Sequence, residues 1–155
     1  MSNRPKVPHQ TTLLVRDCCL CFHVQRAARA LGRRFDEALR PLDLTNGQFS
    51  LLMSLNRPEP PPMAAVASLL AMDRTTLTAA LKPLERRGLV TVAADPGDRR
   101  SHLMALTPKG MTLLARAVPI WERTHQEIEG LLRDGDPNRL RSSLRALSAG
   151  GKSPS

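Results

Sequence analysis

The stretch Asp73 to Lys109, DRTTLTAALKPLERRGLVTVAADPGDRRSHLMALTPK, decides how the whole chain is read. Asp73 suits a helix start, because its carboxylate can accept the first free backbone N–H groups. Leu77, Ala80, Leu81 and Leu84 then recur at i, i+3, i+4 and i+7, which gives a helix one apolar face. The other side of that helix carries Arg74, Thr75, Thr76, Thr78, Lys82 and Arg86, a mixture of cations for phosphate and short hydroxyls for base edges. Gly88 ends the helix, since it adopts the left-handed conformation at no steric cost. A β-prone run at Leu89 to Val92 follows, then the turn Asp95-Pro96-Gly97-Asp98, the pair Arg99-Arg100 and a second run from His102 to Leu106. The expectation is a helix feeding a hairpin with two arginines on the descending side of its loop. Pro83 deletes one helical hydrogen bond and is expected to bend the last turn.

Working upstream, Thr45-Asn46-Gly47-Gln48 has the form of a capping box, and the helix it starts should run through Leu55. The prolines between Arg57 and Pro62 forbid a helix and make a stiff connector. Met63, Val66, Ala67 and Leu70 restore the helical period, so a helix from Met63 to Ala71, a turn at Met72 and the helix from Arg74 form a helix-turn-helix. Downstream, Thr107-Pro108 is a strong helix start. It leads into Met111, Leu114, Val118, Trp121, His125, Ile128 and Leu132, a heptad-like seam suited to packing on another helix, with a kink expected at Pro119. Asp136-Pro137 opens a last helix bearing Leu140, Leu144 and Leu147, and Gly150-Gly151 should end it. Near the other end, Cys21, Val24, Ala28, Leu31 and Phe35 form a stripe within a helix expected from Asp17 to Leu39, which Pro41 stops. Residues 1–12 read as a flexible arm, with Arg4 and Lys6 able to touch DNA, and residues 150–155 as a flexible tail.

LERRGLV, DPGDRR and LTPKG, in this order and spacing, together with LTNGQFSLL from Leu44 to Leu52, resemble the recognition helix, wing, wing exit and upstream helix of the MarR family of winged helix-turn-helix transcription regulators. The resemblance covers roughly Leu13 to Leu147. It implies a mainly α fold with a small β-hairpin wing: a single domain over 13–149, with a winged DNA-binding part at 44–107 and helical dimerisation parts at 13–41 and 108–149. It also implies a homodimeric repressor of nearby genes, released by a small ligand or by thiol oxidation. Under it, Arg74, Thr75, Thr76, Thr78, Lys82 and Arg86 would face double-stranded DNA in the major groove, and Arg99 and Arg100 would enter or border the minor groove. Asp98 would orient the wing by holding one guanidinium. A two-fold dimer would read a pseudo-palindromic operator. Family members bind aromatic acids between their dimerisation and DNA-binding regions, and His23, Trp121 and His125 are the residues placed to line such a pocket.

Composition agrees with this reading and excludes others. The net charge of +9 favours a polyanionic partner. Tyr is absent and aromatics are 3%, which argues against single-strand binding on stacking platforms. No apolar run reaches membrane-spanning length and the N-terminus lacks the core of a signal peptide, so a cytoplasmic protein without membrane partner is expected. The seam from Met111 to Leu132 and the stripe from Cys21 to Phe35 leave more apolar surface than one winged domain covers, which points to a homodimer.

Cys18, Cys19 and Cys21 are open to several readings. Cys18 and Cys21 form C-x-x-C near a helix start expected at Asp17, where the helix dipole favours the thiolate, and Cys19 lies one turn from His23. Cysteine is equally a small packing residue, and Cys21 lies on the apolar stripe. A zinc site lacks a second cysteine pair or paired histidines to complete its ligands. Thiol sensors in the family keep a reactive cysteine near the first helix, often with tyrosines, which this chain lacks. A cysteine redox enzyme is the reading from another class, opposed by the absence of a thioredoxin-like βαβ context. A winged helix used for protein docking alone would have no need of Arg99-Arg100. No paired-carboxylate motif, nucleophile elbow, phosphate-cradling glycine loop or HExxH is present, so neither enzyme nor cofactor is expected.

Overall fold

The apolar face of the helix at Arg74–Arg86 is the centre of the computed structural model, which describes residues 5–149. The described elements run α1 (His9–Cys18), α2 (Leu20–Leu39), a 3-10 turn (Arg40–Leu42), α3 (Asn46–Leu55), α4 (Met63–Leu70), α5 (Arg74–Arg86), β1 (Val90–Asp95), β2 (Asp98–Leu106), α6 (Pro108–Glu129) and α7 (Pro137–Ala149). Leu77, Leu81 and Leu84 of α5 are buried against Leu51 and Leu52 of α3, Val66 of α4, Met104 of β2 and Leu114 and Ala117 of α6. Leu39 at the end of α2 completes this core, so the winged part and the first half of α6 share one apolar interior.

The local start signals act as the chemistry requires. Thr45 accepts the Gln48 N–H at 3.1 Å while the Gln48 side chain accepts the Thr45 N–H at 3.0 Å, which closes the capping box. Asp73 accepts the Thr76 N–H at 2.7 Å, and Thr107 accepts the Gly110 N–H at 3.0 Å. Ala71, at φ 52°, ends α4 in the left-handed region and turns the chain into α5. Pro83 stays inside a continuous helix, and Gly88 follows α5 at φ +68°. The two strands pair antiparallel and reach closer to the turn than the β-prone runs imply. The proline connector is pinned to them, because the Met104 N–H donates to the Pro61 carbonyl and Pro62 bridges Leu103.

The junction between α5 and α6 is tied by its backbone carbonyls. Lys109 Nζ donates to Arg87 O at 2.8 Å, Thr107 Oγ1 to Gly88 O at 2.6 Å, and the Thr107 N–H to Leu89 O at 3.0 Å. Gly110 lets α6 lie directly on that last carbonyl, since a Cβ there would stand 2.0 Å from Leu89 O. The segments RRGL and LTPKG are thus two halves of one joint.

The N-terminal expectation is corrected. A helix already spans His9–Cys18, so residues 9–12 are not an arm, and Asp17 lies in its last turn instead of starting α2. The chain breaks at Cys19 (φ −72°, ψ 111°), which keeps hydrogen bonds on both sides: its N–H donates to Val15 O and its carbonyl accepts the His23 N–H. No glycine or proline marks this break, and α1 buries no residue in its own chain, so the sequence carried no periodic signal for it. Arg4, the 150–155 tail and the end at Gly150-Gly151 lie outside the described residues. Among the described residues no helix is long and apolar enough to cross a membrane.

Candidate nucleic-acid interface

Helix α5 turns Leu77 and Leu81 inward, which forces residues a half-turn away outward. Arg74, Thr75, Thr78 and Lys82 come together there and, with Ala79, line an open recess of about 360 Å3 that contains no carboxylate. Thr76 and Arg86 are also exposed on α5 but stand outside this recess. Ala79 is the member that sequence reading passed over. Its only signal was position, since a methyl between Thr75 and Lys82 leaves room for a neighbouring surface to approach. Thr78 donates its hydroxyl proton to Arg74 O at 2.8 Å, so its oxygen lone pairs and methyl group are what it offers outward. The Asp73 carboxyl is held below its ordinary value, chiefly by the Thr76 N–H it accepts, and so remains an anionic cap at the dipole-positive end of the helix.

The wing presents its arginines on an irregularity. Pairing runs regularly from Val90↔Leu106 to Ala94↔His102 and then jumps to Asp95↔Asp98. Arg99, Arg100 and Ser101 therefore have no residue opposite, as in a bulge that bends a strand and re-aims its side chains. Both guanidinium groups are exposed, and Arg74 Nη2 reaches across to Arg100 O at 3.4 Å, tying wing to helix. The expected role of Asp98 is corrected. Its carboxylate accepts the Arg100 backbone N–H at 3.0 Å and makes no ion pair among the described residues, because a short side chain in a tight turn reaches its own backbone first. Asp98 shapes the loop, as Asp95 does by accepting the Gly97 N–H at 2.8 Å.

The other candidate residues form two separate groups. Trp121 and His125 of α6 stack at 4.9 Å and 6° between planes, and Trp121 also stacks at 6.3 Å on Phe49 of α3. His125 Nε2 lies 3.1 Å from Glu129 Oε1, which also accepts from Arg141 Nη1 at 2.5 Å. The Glu129 carboxyl is lowered, mainly by that hydrogen bond from Arg141. His125 borders an apolar groove of about 430 Å3 with Leu31, Phe35, Leu132, Leu140 and Leu144. His23 is not brought to it; its ring sits edge-on to Phe22 with Nδ1 2.8 Å from Cys19 O. Cys18 ends α1, Cys19 is the break, and Cys21 lies in the first turn of α2, all as free thiols. Cys18 and Cys21 are exposed and Cys19 half-buried, so the packing expected for Cys21 does not occur within its own chain.

A helix-turn-helix with an acid-free recess on its second helix, joined to a hairpin that presents two arginines, defines a winged helix-turn-helix DNA-binding protein. Residues 44–102 match the model of the MarR family. The organic hydroperoxide resistance transcriptional regulator of Bacillus subtilis is 33% identical over 130 residues, which cover 83% of this chain and 86% of that protein. The chain belongs to the MarR family of transcriptional regulators. The Mycobacterium tuberculosis transcriptional regulator MosR, solved in complex with DNA, has a TM-score of 0.76 at 38% identity, covering 85% of this chain and 95% of its own. CouR from Rhodococcus jostii RHA1, solved bound to p-coumaroyl-CoA, has a TM-score of 0.71 at 25% identity, covering 89% and 97%. These relatives are DNA-binding regulators and not enzymes.

Proposed function

We propose that the chain works as a homodimeric, sequence-specific repressor that reads a pseudo-palindromic operator and leaves it when a small molecule binds. The observation that carries this is the recess of Arg74, Thr75, Thr78 and Lys82, free of carboxylates and tied to the wing through Arg74. The helix residues would contact base edges and flanking phosphates in the major groove, while Arg99 and Arg100 would supply charge to the backbone or a narrow minor groove. Two-fold pairing is supported by the apolar residues left exposed outside the winged part: Leu14, Leu20, Leu140 and Leu147 on helices, and Leu131 in the turn after α6. Such surfaces exceed what a monomer leaves to water without a use. Release by a small molecule is supported by CouR, a structural neighbour with a bound acyl-CoA.

The test is affinity for operator and random DNA across a salt series. Arg99→Ala or Arg100→Ala should weaken binding to both DNAs together and lower the log–log salt slope by about 1 for each phosphate no longer neutralised. Thr75→Ala or Thr78→Val should instead lower the operator-to-random ratio, with roughly 1–3 kcal/mol per base contact. An unchanged salt slope in both wing variants, with altered slopes in the helix variants, would reverse the two roles. Sedimentation at micromolar concentration should find a dimer, and a stable folded monomer would defeat that part of the reading.

A second reading, release by thiol oxidation, is favoured by the placement of Cys18, Cys19 and Cys21 outside their own chain's core at the α1–α2 break. Mild peroxide should then release operator from the native protein but not from a triple Cys→Ser variant at these positions. Peroxide insensitivity of the native protein removes this reading and leaves the ligand-released one.

A further inference from the structure

Helix α5 carries two stripes of the same spacing. Leu77, Ala80, Leu81 and Leu84 stand at i, i+3, i+4 and i+7 and pack into the core, while Thr75, Thr78, Ala79 and Lys82 repeat that spacing two residues earlier. Two residues turn an α-helix by roughly 200°, so the second stripe lies opposite the buried one and lines the open recess on α5. From Thr75 to Lys82 the helix rises about 10.5 Å, close to three base steps of about 3.4 Å each.

Side-chain length shapes this recess. Arg74 at one end and Lys82 at the other are long and cationic, while Thr78 and Ala79 between them are short. Thr78 has spent its hydroxyl proton inside the chain: Oγ1 donates to Arg74 O at 2.8 Å and lies 3.8 Å from the Met63 sulfur on α4. Its γ-methyl has no polar task, and Ala79 beside it offers a methyl and nothing else. Two neighbouring methyls between two cations make a floor that suits an apolar projection flanked by phosphates. Among the groups that base pairs present in the major groove, the donors and acceptors are polar and the 5-methyl of thymine is the apolar one. An exocyclic amine set over Ala79 would lose its water and gain no acceptor in return.

We propose that Thr78 and Ala79 form a seat for the 5-methyl group of one thymine in each operator half-site, with Arg74 and Lys82 on the phosphates to either side. The seat deepens the sequence-specific reading given above and rests on it. It makes Thr78 and Ala79 specificity-determining through their methyl groups. Hydrogen-bonded readout then falls to Thr75, nearer the helix start, where recognition helices meet base edges.

The experiment selects an operator from random duplexes with the full-length protein, then replaces each thymine in turn by deoxyuridine. That change deletes the methyl and leaves every hydrogen-bonding group in place. At one thymine per half-site the affinity should fall roughly fourfold, and roughly fifteenfold when both half-sites are changed, the transfer values of one and two methyl groups. Thr78→Ser keeps the hydroxyl and removes the methyl, and Ala79→Ser sets a hydroxyl on the floor; each should bring the single loss below about twofold. Thr78→Val retains a methyl and should keep the preference for thymine over deoxyuridine even where it lowers the operator-to-random ratio. Arg100→Ala should weaken both DNAs and leave their ratio unchanged. Each variant is compared with itself on two DNAs, so a change in folded fraction cancels. At the same position 5-methylcytosine should outbind cytosine by a similar factor, because the seat takes the methyl and not the ring. Deoxyuridine tolerated at every thymine, half-sites without thymine, 5-methylcytosine no better than cytosine, or a loss that persists in both serine variants would overturn the seat and leave the sequence-specific repressor standing. Failure to select any operator would overturn that reading and the seat with it.

Discussion

Replacing Gly110 by alanine tests whether the α5–α6 joint is as tight as its geometry implies. The new Cβ would stand 2.0 Å from Leu89 O, 3.0 Å from its carbonyl carbon and 3.3 Å from its Cα. An ordinary C···O approach is about 3.3 Å, so the carbonyl or the helix must retreat by roughly 1.3 Å. The obstacle is backbone, and that carbonyl already accepts the Thr107 N–H, so it has no rotamer by which to escape. Overpacking of this kind costs about 1–3 kcal/mol, and weakening the Thr107 bond adds about 0.5–1.5. Alanine returns up to about 1 kcal/mol through helix propensity. With that ~1 kcal/mol returned in full, the net loss should be roughly 0.5–3.5 kcal/mol, a fall in Tm of about 1–14 °C for a chain of this size. Thermal unfolding at fixed protein concentration measures it, with Gly47→Ala as control, where a Cβ meets nothing nearer than Thr45 Oγ1 at 4.0 Å. If Gly110→Ala melts within about 1 °C of the native protein, or gains stability as Gly47→Ala should, the joint is not closed by this contact.

Thr107→Val should cost about 1–3 kcal/mol in the same assay, since it removes both the cap on the Gly110 N–H and the hydroxyl bond to Gly88 O; an unchanged melting curve would assign the joint to Lys109 and the backbone alone. Asp73, with its carboxyl below the ordinary 3.8, stabilises the start of α5 fully above pH 3.8 and loses that contribution as pH falls through its lowered folded value. The protection factor of the Thr76 amide, taken against its intrinsic exchange rate at the same pH, should therefore fall on acidification in the native protein and be low at every pH in Asp73→Ala; parallel protection profiles would remove Asp73 as the cause. Glu129→Gln should speed amide exchange in α7, because Arg141 is held to α6 through Glu129 and α7 buries no residue in its own chain. The Glu129 carboxyl is likewise lowered, so this hold is present above its ordinary 4.5 and fades as pH drops through the folded value; α7 protection insensitive to both changes would place its anchor elsewhere.

What the sequence made legible was local chemistry. The capping box at Thr45, the cap at Asp73 and the Thr107-Pro108 start each depend on residues within one turn, and each was readable before any fold was known. The inward face of α5 was readable because its period is unbroken from Leu77 to Leu84, even across Pro83. Features set by distant partners were not. The register jump that frees Arg99 to Ser101 depends on cross-strand pairing, while turn residues fix only the loop. The start of α1 and the break at Cys19 left no trace because α1 buries nothing within its chain. The stripe from Cys21 to Phe35 was legible as apolar surface beyond what its own chain covers: Val24 and Leu31 are exposed, and Phe35 is half-buried. His23 was grouped with His125 by residue type, and only the fold could part them.

The contacts between the winged part and α6 bear on how a signal would reach DNA. From α3 through the wing to the first half of α6, apolar packing is continuous and the joints are bonded: Arg74 to the wing, Thr107 and Lys109 to the end of α5. Recognition helix, wing and the start of α6 should therefore move as one body. Beyond Ala117, α6 is held by Ile120 and Trp121 on the core, by its packing along α2, by the Phe49–Trp121–His125 stack, and by the Glu129 carboxylate shared by His125 and Arg141. A partner subunit would set the angle of the far half of α6, and α6 would pass that angle to the recognition helix through the joint at Gly110. In the proposed dimer, half-site spacing is fixed by the groove repeat, so a rotation of α6 would shift one recognition helix relative to the other. An effector therefore has no need to touch the DNA-reading face. In the ligand-released reading, a small molecule acting on α6, or on the joint that fixes α5 to it, would reach both recognition helices through that joint.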